Sequence, residues 1–209
     1  LKAKNYGLPT SLDGNIMNHV IEQGPYKGES VAFWLAEKTE GLAILLANND
    51  RLARLIDENS LNHVIEQGPY KGRSVAFWLA VSKKGQYILQ AKNYWLARII
   101  DENTLNYVIE QGFYKGWSVV YSLALTPLGR TILQGNNYRL ARLINERSVN
   151  TMIGDGANKE LSVAFRLACT DGGRAILQAD NYRLARLIDE NSLNHVIEQG
   201  HYKLSLIHI

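Results

Sequence analysis

Ser30, Ser74, Ser118 and Ser162 stand 44 residues apart, and each opens a near-copy of one stretch that begins S-V-A-F-W-L-A and runs on to H-V-I-E-Q-G-P-Y-K-G. A unit of this size cannot close a core on its own apolar face, so it is expected to stack on its neighbours into a solenoid and to keep function on the exposed edge. Leu52 to Lys71 and Leu184 to Lys203 differ at one residue of twenty, Pro69 against His201. Copying that covers surface as well as core positions points to recent duplication. The register reaches back to A-K-N-Y at Ala3 to Tyr6, two periods before the same tetrad at Ala91 to Tyr94. With no initiator Met, the chain reads as a piece of a longer array. The expected body is one tandem-repeat solenoid over 1–203, with a partial unit 1–29 and units 30–73, 74–117, 118–161 and 162–203. The tail 204–209 falls out of register and resembles translated adapter sequence, so it is set apart.

Within a unit the pattern is helical. Ser74 precedes V-A-F-W-L-A as an N-cap, its hydroxyl placed to accept from a free amide of the first turn. A second stretch follows Gly85, with Ile88, Leu89, Leu96, Ile99 and Ile100 on a helical stripe that Lys92 and Asn93 either continue or break. Thr104, with Ser60, Ser148 and Ser192 in the same slot, is expected to cap a further helix, L-N-Y-V-I-E-Q, ending at Gly112. Nothing alternates long enough to argue a strand, so the fold class is all-α with three or four short helices per unit.

Four apolar slots keep their chemistry from copy to copy: Leu35, Leu79, Leu123 and Leu167; Ile44, Ile88, Ile132 and Ile176; Leu52, Leu96, Leu140 and Leu184; Ile56, Ile100, Ile144 and Ile188. These ladders are the expected core, with Ala53, Ala97, Ala141 and Ala185 allowing close helix approach. Pro9 takes that alanine slot in the partial unit, where a helix interior would lose about 3 kcal/mol.

S-V-A-F-W-L-A followed by Gly and I-L is similar to the T-P-L-H-L-A-A, Gly and apolar-pair pattern of ankyrin repeats. It is closer still to the longer, divergent ankyrin-like units of effector-like proteins from intracellular bacteria. The resemblance covers residues 1 to about 203. It departs in its period of 44, in Val31, Val75, Val119 and Val163 where the family has proline, and in lacking the hairpin finger motif. An armadillo-like or HEAT-like stack fits the same period. The resemblance implies protein recognition without catalysis. It also implies a cytoplasmic setting, or secretion into a host cytosol if the chain is effector-like.

Few residues invite chemistry. Gly68 to Ser74 looks glycine-rich but lacks the Gly-Lys pair and preceding strand of a phosphate loop; it recurs at Gly24 and Gly112, and Gly154 to Gly156 is a divergent copy, so it reads as a turn. His19, His63 and His195 share a slot that becomes Tyr107 between them, which suits packing better than metal ligation. Cys169, the only cysteine, has no histidine near it in sequence. No enzyme, cofactor or metal site is expected. The formal charge of +3, from 23 basic and 20 acidic residues, announces no polyanionic partner. Arg54, Arg98, Arg142 and Arg186 form a basic ladder, but Asp57 and Glu58 at i+3 and i+4 suggest local pairing, making nucleic acid an unlikely partner. No apolar run is long enough for a membrane span.

The sharpest functional signal lies in slots that vary inside the copied unit. Glu29, Arg73, Trp117 and Leu161 share one; Trp34, Trp78, Ser122 and Arg166 share another. A packed core does not exchange Trp, Ser and Arg freely, so these side chains are expected at an exposed rim, either drifting or recognising a partner. Tyr26, Tyr70, Tyr114 and Tyr202 extend the rim or staple successive turns. The candidate protein-binding residues are Trp34, Trp78, Arg166, Arg73, Trp117, Tyr70 and Tyr114. The reading is a protein–protein interaction scaffold, with a structural spacer for a domain outside this segment as the alternative and a nucleic-acid-binding solenoid as the third.

Overall fold

The computed structural model of the chain describes residues 12–153 and 161–194; Pro9, Gly154 to Gly156, His195, Tyr202 and the tail 204–209 lie outside them. Among the described residues every regular element is helical. The unit 74–117 shows the plan. Helix α5 (Val75–Val81) begins at Ser74, whose Oγ accepts from the Phe77 amide at 3.1 Å. Its counterparts α2 (Val31–Glu37), α8 (Val119–Ala124) and α11 (Val163–Ala168) start the same way on Ser30, Ser118 and Ser162. The predicted serine caps are therefore present in all four units.

Helix α6 (Lys83–Ile99) comes next, capped by Ser82, as α9 (Pro127–Leu143) and α12 (Asp171–Tyr182) are by Thr126 and Thr170. The counterpart α3 (Thr39–Asp50) starts at Lys38 without a side-chain cap. The third residue of each helix is glycine because the preceding helix crosses there with no room for a side chain. A Cβ on Gly129 would sit 2.2 Å from the Leu123 carbonyl oxygen, and Gly41, Gly85 and Gly173 are equally tight.

The stripe breaks where Lys92 and Asn93 left the matter open. Lys92, Asn93 and Tyr94 all have positive φ, as do Asn136 to Tyr138 and Asp180 to Tyr182, with Asn49 and Asp50 matching them in the first full unit. Left-handed backbone costs an L-residue roughly 1–2 kcal/mol. Asparagine at the centre of each turn is among the residues that tolerate it best.

Short helices α4 (Glu58–Asn62), α7 (Glu102–Asn106), α10 (Glu146–Asn150) and α13 (Glu190–Asn194) complete the units, with Gly14–Asn18 as the matching α1. Here the predicted caps are off by one turn. Asp57, Asp101, Asn145 and Asp189 are the N-caps, accepting from the amides of Ser60, Thr104, Ser148 and Ser192. The helix also ends at Asn106, not Gly112, so V-I-E-Q lies outside it. Instead, the Ile109 amide donates to the Trp117 carbonyl and the Gly116 amide to the Ile109 carbonyl, pinning the F-Y-K loop shut. Equivalent bonds close the loops at Ile21 and Ile65. Although no strand forms among the described residues, the loop is a pinned hairpin-like excursion.

Helices pack in chain order, α2 on α5, α5 on α8 and α8 on α11, with α3, α6, α9 and α12 forming a second row. The expected ladders fill the space between them: Leu79, Leu123, Ile88, Ile132, Leu96, Leu140, Ile100 and Ile144 are all buried. Leu35, Ile44, Leu52 and Ile188, nearer the ends, are only half-buried. The joint between successive units is polar. Asn62 Nδ2 donates to the Ile99 carbonyl at 2.6 Å while its Oδ1 accepts from the Asp101 amide at 3.1 Å. Asn18, Asn106 and Asn150 repeat both bonds to the backbone of the next unit along. Sequence reasoning did not single out these asparagines; their constancy beside a slot that changes from His to Tyr to Thr is the signal that marks them.

Candidate interaction surface

The variable slots do not form a freely exposed ridge. Trp78 keeps 8% of its surface, Ser122 and Leu161 are buried, and Trp34, Arg73, Trp117 and Arg166 are half-buried. A buried slot accepts Trp or Ser because the other variable slot compensates for it. Trp78 lies beside Arg73, whereas in the next unit Ser122 leaves room and Trp117 supplies the large ring, 5.2 Å from Tyr121. Each of the slot pairs Glu29/Trp34, Arg73/Trp78 and Trp117/Ser122 thus places one indole on this face, from one slot or the other.

The loop tyrosines are staples. Tyr70 stands 5.3 Å from Phe33 and 5.8 Å from Trp34 in the first helix of its own unit, and 6.5 Å from Trp78 in helix α5 of the next. Tyr114 repeats this on Phe77, Trp78 and Trp117 at 5.2, 5.6 and 5.4 Å. All these contacts are edge-to-face, the arrangement the ring quadrupoles favour. The structure therefore brings Trp34, Tyr70, Arg73, Trp78, Tyr114 and Trp117 into one aromatic row. Arg166 lies beside Tyr121, whose hydroxyl is pushed up in pKa by burial, with the Arg166 charge and hydrogen bond opposing. At the outer edge Tyr26 is 54% exposed and Phe113, at a loop tip where the two preceding copies have Pro25 and Pro69, is 86% exposed.

Charge enters this row differently in successive units. The Arg73 guanidinium sits 5.3 Å from the Tyr70 ring, 5.3 Å from Trp78 and 5.4 Å from Tyr114, a cation enclosed by three π faces. The corresponding rings one unit earlier are Tyr26, Trp34 and Tyr70, and Glu29 takes the arginine's slot. Glu29 is 3% exposed. Burial raises its carboxyl pKa, a hydrogen bond from Trp34 opposes the rise, and the Glu37 charge adds to it.

At Arg54 and Arg142 the arginine ladder is not paired as expected. Asp57 and Asp101 spend their carboxylates as helix caps, and Arg54 and Arg142 turn back to the carbonyls of Asn49 and Asn137 in the left-handed turns. Elsewhere, grooves of about 490 and 680 Å³ share Asn103 and Tyr107 and are rimmed by Glu58, Glu66, Glu102 and Glu110. The histidine slot packs under the loop of the preceding unit: His63 approaches Gly28, and Tyr107 approaches Gly72.

Cys169 is exposed, and partial desolvation raises its thiol pKa against the opposing charges of Arg166 and Arg174. Among the described residues no three His, Cys, Asp or Glu side chains converge as a metal site, and no helix is long and apolar enough to cross a membrane. No protein-family model matches the chain, and neither a curated protein nor a solved structure matches it.

Proposed function

We propose that this chain is a protein–protein interaction scaffold, an open ankyrin-like solenoid that presents the aromatic row and the loop tips beside it to another protein. The observation that carries this reading is Phe113, a large apolar side chain 86% exposed at a loop tip, alongside the partly covered rings of Tyr114 and Trp117. Aromatic residues at a half-covered edge are the usual anchors of protein interfaces. Trp78 serves a different purpose from the one its variability suggested: it supports the row from beneath, and the contact surface is Tyr26, Trp34, Tyr70, Phe113 and Trp117.

The test is affinity capture with the intact chain and with Phe113→Ala. The substitution touches no buried packing, so the melting curve should be unchanged while a captured partner binds at least about tenfold more weakly, the loss of one hot spot. Undiminished capture by Phe113→Ala and by Trp117→Ala together would favour the spacer reading.

A further inference from the structure

The two ring triads differ in one respect that bears on ligand chemistry. Around Arg73, the Tyr70–Trp78 and Trp78–Tyr114 centroids are 6.5 and 5.6 Å apart; one unit earlier, Tyr26–Trp34 and Trp34–Tyr70 are 6.2 and 5.8 Å apart. The frame is the same within a few tenths of an ångström. The second triad is filled by the protein's own guanidinium, while the first carries the Glu29 carboxylate, which is buried, takes a hydrogen bond from Trp34 and leaves Oε2 with none among the described residues. A carboxylate withdrawn from water is stable only with a counter-charge or donor of its own.

The cation beside Trp34 does not fill the place. Lys38 Nζ stands 5.8 Å from the Trp34 ring, but it is bound at 2.6 Å to Glu37 Oε2, and its side chain is half exposed. Glu37 Oε1 in turn accepts from the Tyr70 hydroxyl at 3.5 Å. The site therefore holds three rings, two carboxylates and one ammonium, and remains net negative. Tyr26, the outer wall, is exposed enough to swing aside on the fast timescale of surface side chains.

We propose that the Tyr26–Trp34–Tyr70 triad, with Glu29 at its base, is a binding site for an arginine side chain of a partner. A planar guanidinium stacks on the aromatic faces and donates two parallel hydrogen bonds to the waiting carboxylate. Arg73 shows within the same molecule that a guanidinium fits the frame. That its bearer is a protein rests on the scaffold reading above; the site itself stands on its own geometry.

Small-molecule titration of the full chain keeps the two apart. The Trp34 indole resonance, identified by its loss in Trp34→Phe, is followed by NMR as N-acetyl-arginine amide is added. Its neutral isostere N-acetyl-citrulline amide and N-acetyl-lysine amide serve as comparisons. A saturable shift is expected with the arginine probe, with none from citrulline and a weaker response to lysine. Glu29→Arg copies the neighbouring unit and should fold normally but show no titration. Glu29→Gln keeps the shape and should weaken binding at least about tenfold, as removal of a charge-assisted bond does. No saturable shift, an equal response to citrulline or lysine, or unweakened binding by Glu29→Gln overturns the proposal. Such a failure leaves the scaffold reading to the Phe113 experiment, because Phe113 is no part of this site.

Discussion

Replacing Asn106 by alanine tests whether the polar joint between units contributes to stability. Asn106 is 6% exposed and makes four bonds: Nδ2 to the carbonyls of Leu143 at 2.7 Å and Glu102 at 2.8 Å, and Oδ1 from the Asn145 amide at 3.1 Å and the Ser148 hydroxyl. Alanine leaves the Leu143 carbonyl and the Asn145 amide without this partner in a place little reached by water. Each such group costs about 1–3 kcal/mol, so the loss should be about 3 kcal/mol after partial rehydration. For a chain of this length that corresponds to a fall of about 6–12 °C in Tm. Asn103→Ala, on the exposed side of the same helix, is the control and should change stability by less than about 0.5 kcal/mol. Urea titration by circular dichroism gives both values, and amide exchange should show the Asn145 N–H losing protection in the variant. If Asn106→Ala costs no more than Asn103→Ala, the asparagine is incidental and the units are joined by apolar packing alone.

Gly129→Ala should destabilise by about 1–3 kcal/mol or more, since its Cβ meets the Leu123 backbone, which cannot give way as a side chain would; a melting curve like that of the parent would contradict the close crossing. Trp78→Ala should lower stability by about 3–5 kcal/mol and Ile100→Ala by about 2–5 kcal/mol, both being buried; a neutral Trp78→Ala in chemical denaturation would restore it to the exposed rim. Glu29 has a folded-state pKa above its unfolded value, so the folded chain holds the proton more tightly and stability should fall as pH rises through that acid window; Glu29→Gln should flatten this segment of the pH–stability profile, and an unchanged profile would refute the burial argument. Generic nucleic acid should bind weakly near physiological salt, because Arg54 and Arg142 are directed at backbone carbonyls; sub-micromolar, salt-sensitive retardation lost on replacing Arg98, Arg142 and Arg186 together would overturn this.

The parts of the fold that were legible are those where one slot has one task. Ser74 can cap only the helix directly after it, and Ile100 recurs as isoleucine because its neighbours also recur, so caps and ladders could be read directly. Trp78 misled because its tolerance of serine in the next copy is explained five residues upstream, at Trp117, through a contact that no periodicity reveals. Asn106 was hidden for the opposite reason: in a unit copied almost whole, a polar residue that never changes looks like its idle neighbours. The left-handed turn at Lys92 to Tyr94 is likewise a choice made by packing, since K-N-Y, N-N-Y and D-N-Y are equally compatible with continuing a helix. Glu29 stood out as a variable position, but its confinement among rings is a tertiary fact.

The asparagine joint has a consequence for how such a chain can grow. Asn62, Asn106 and Asn150 each grip a carbonyl and an amide of the next unit's main chain, groups that nearly every residue type supplies. The coupling is therefore indifferent to the side chains it meets, and a duplicated unit can be spliced in without any matching change across the seam. The aromatic face has no such indifference, for the indole of one unit must suit the tyrosine at the end of the unit before it, as Trp34 does Tyr26 and Trp78 does Tyr70. Copy number is free to change through one seam while the order of the copies is held by the other.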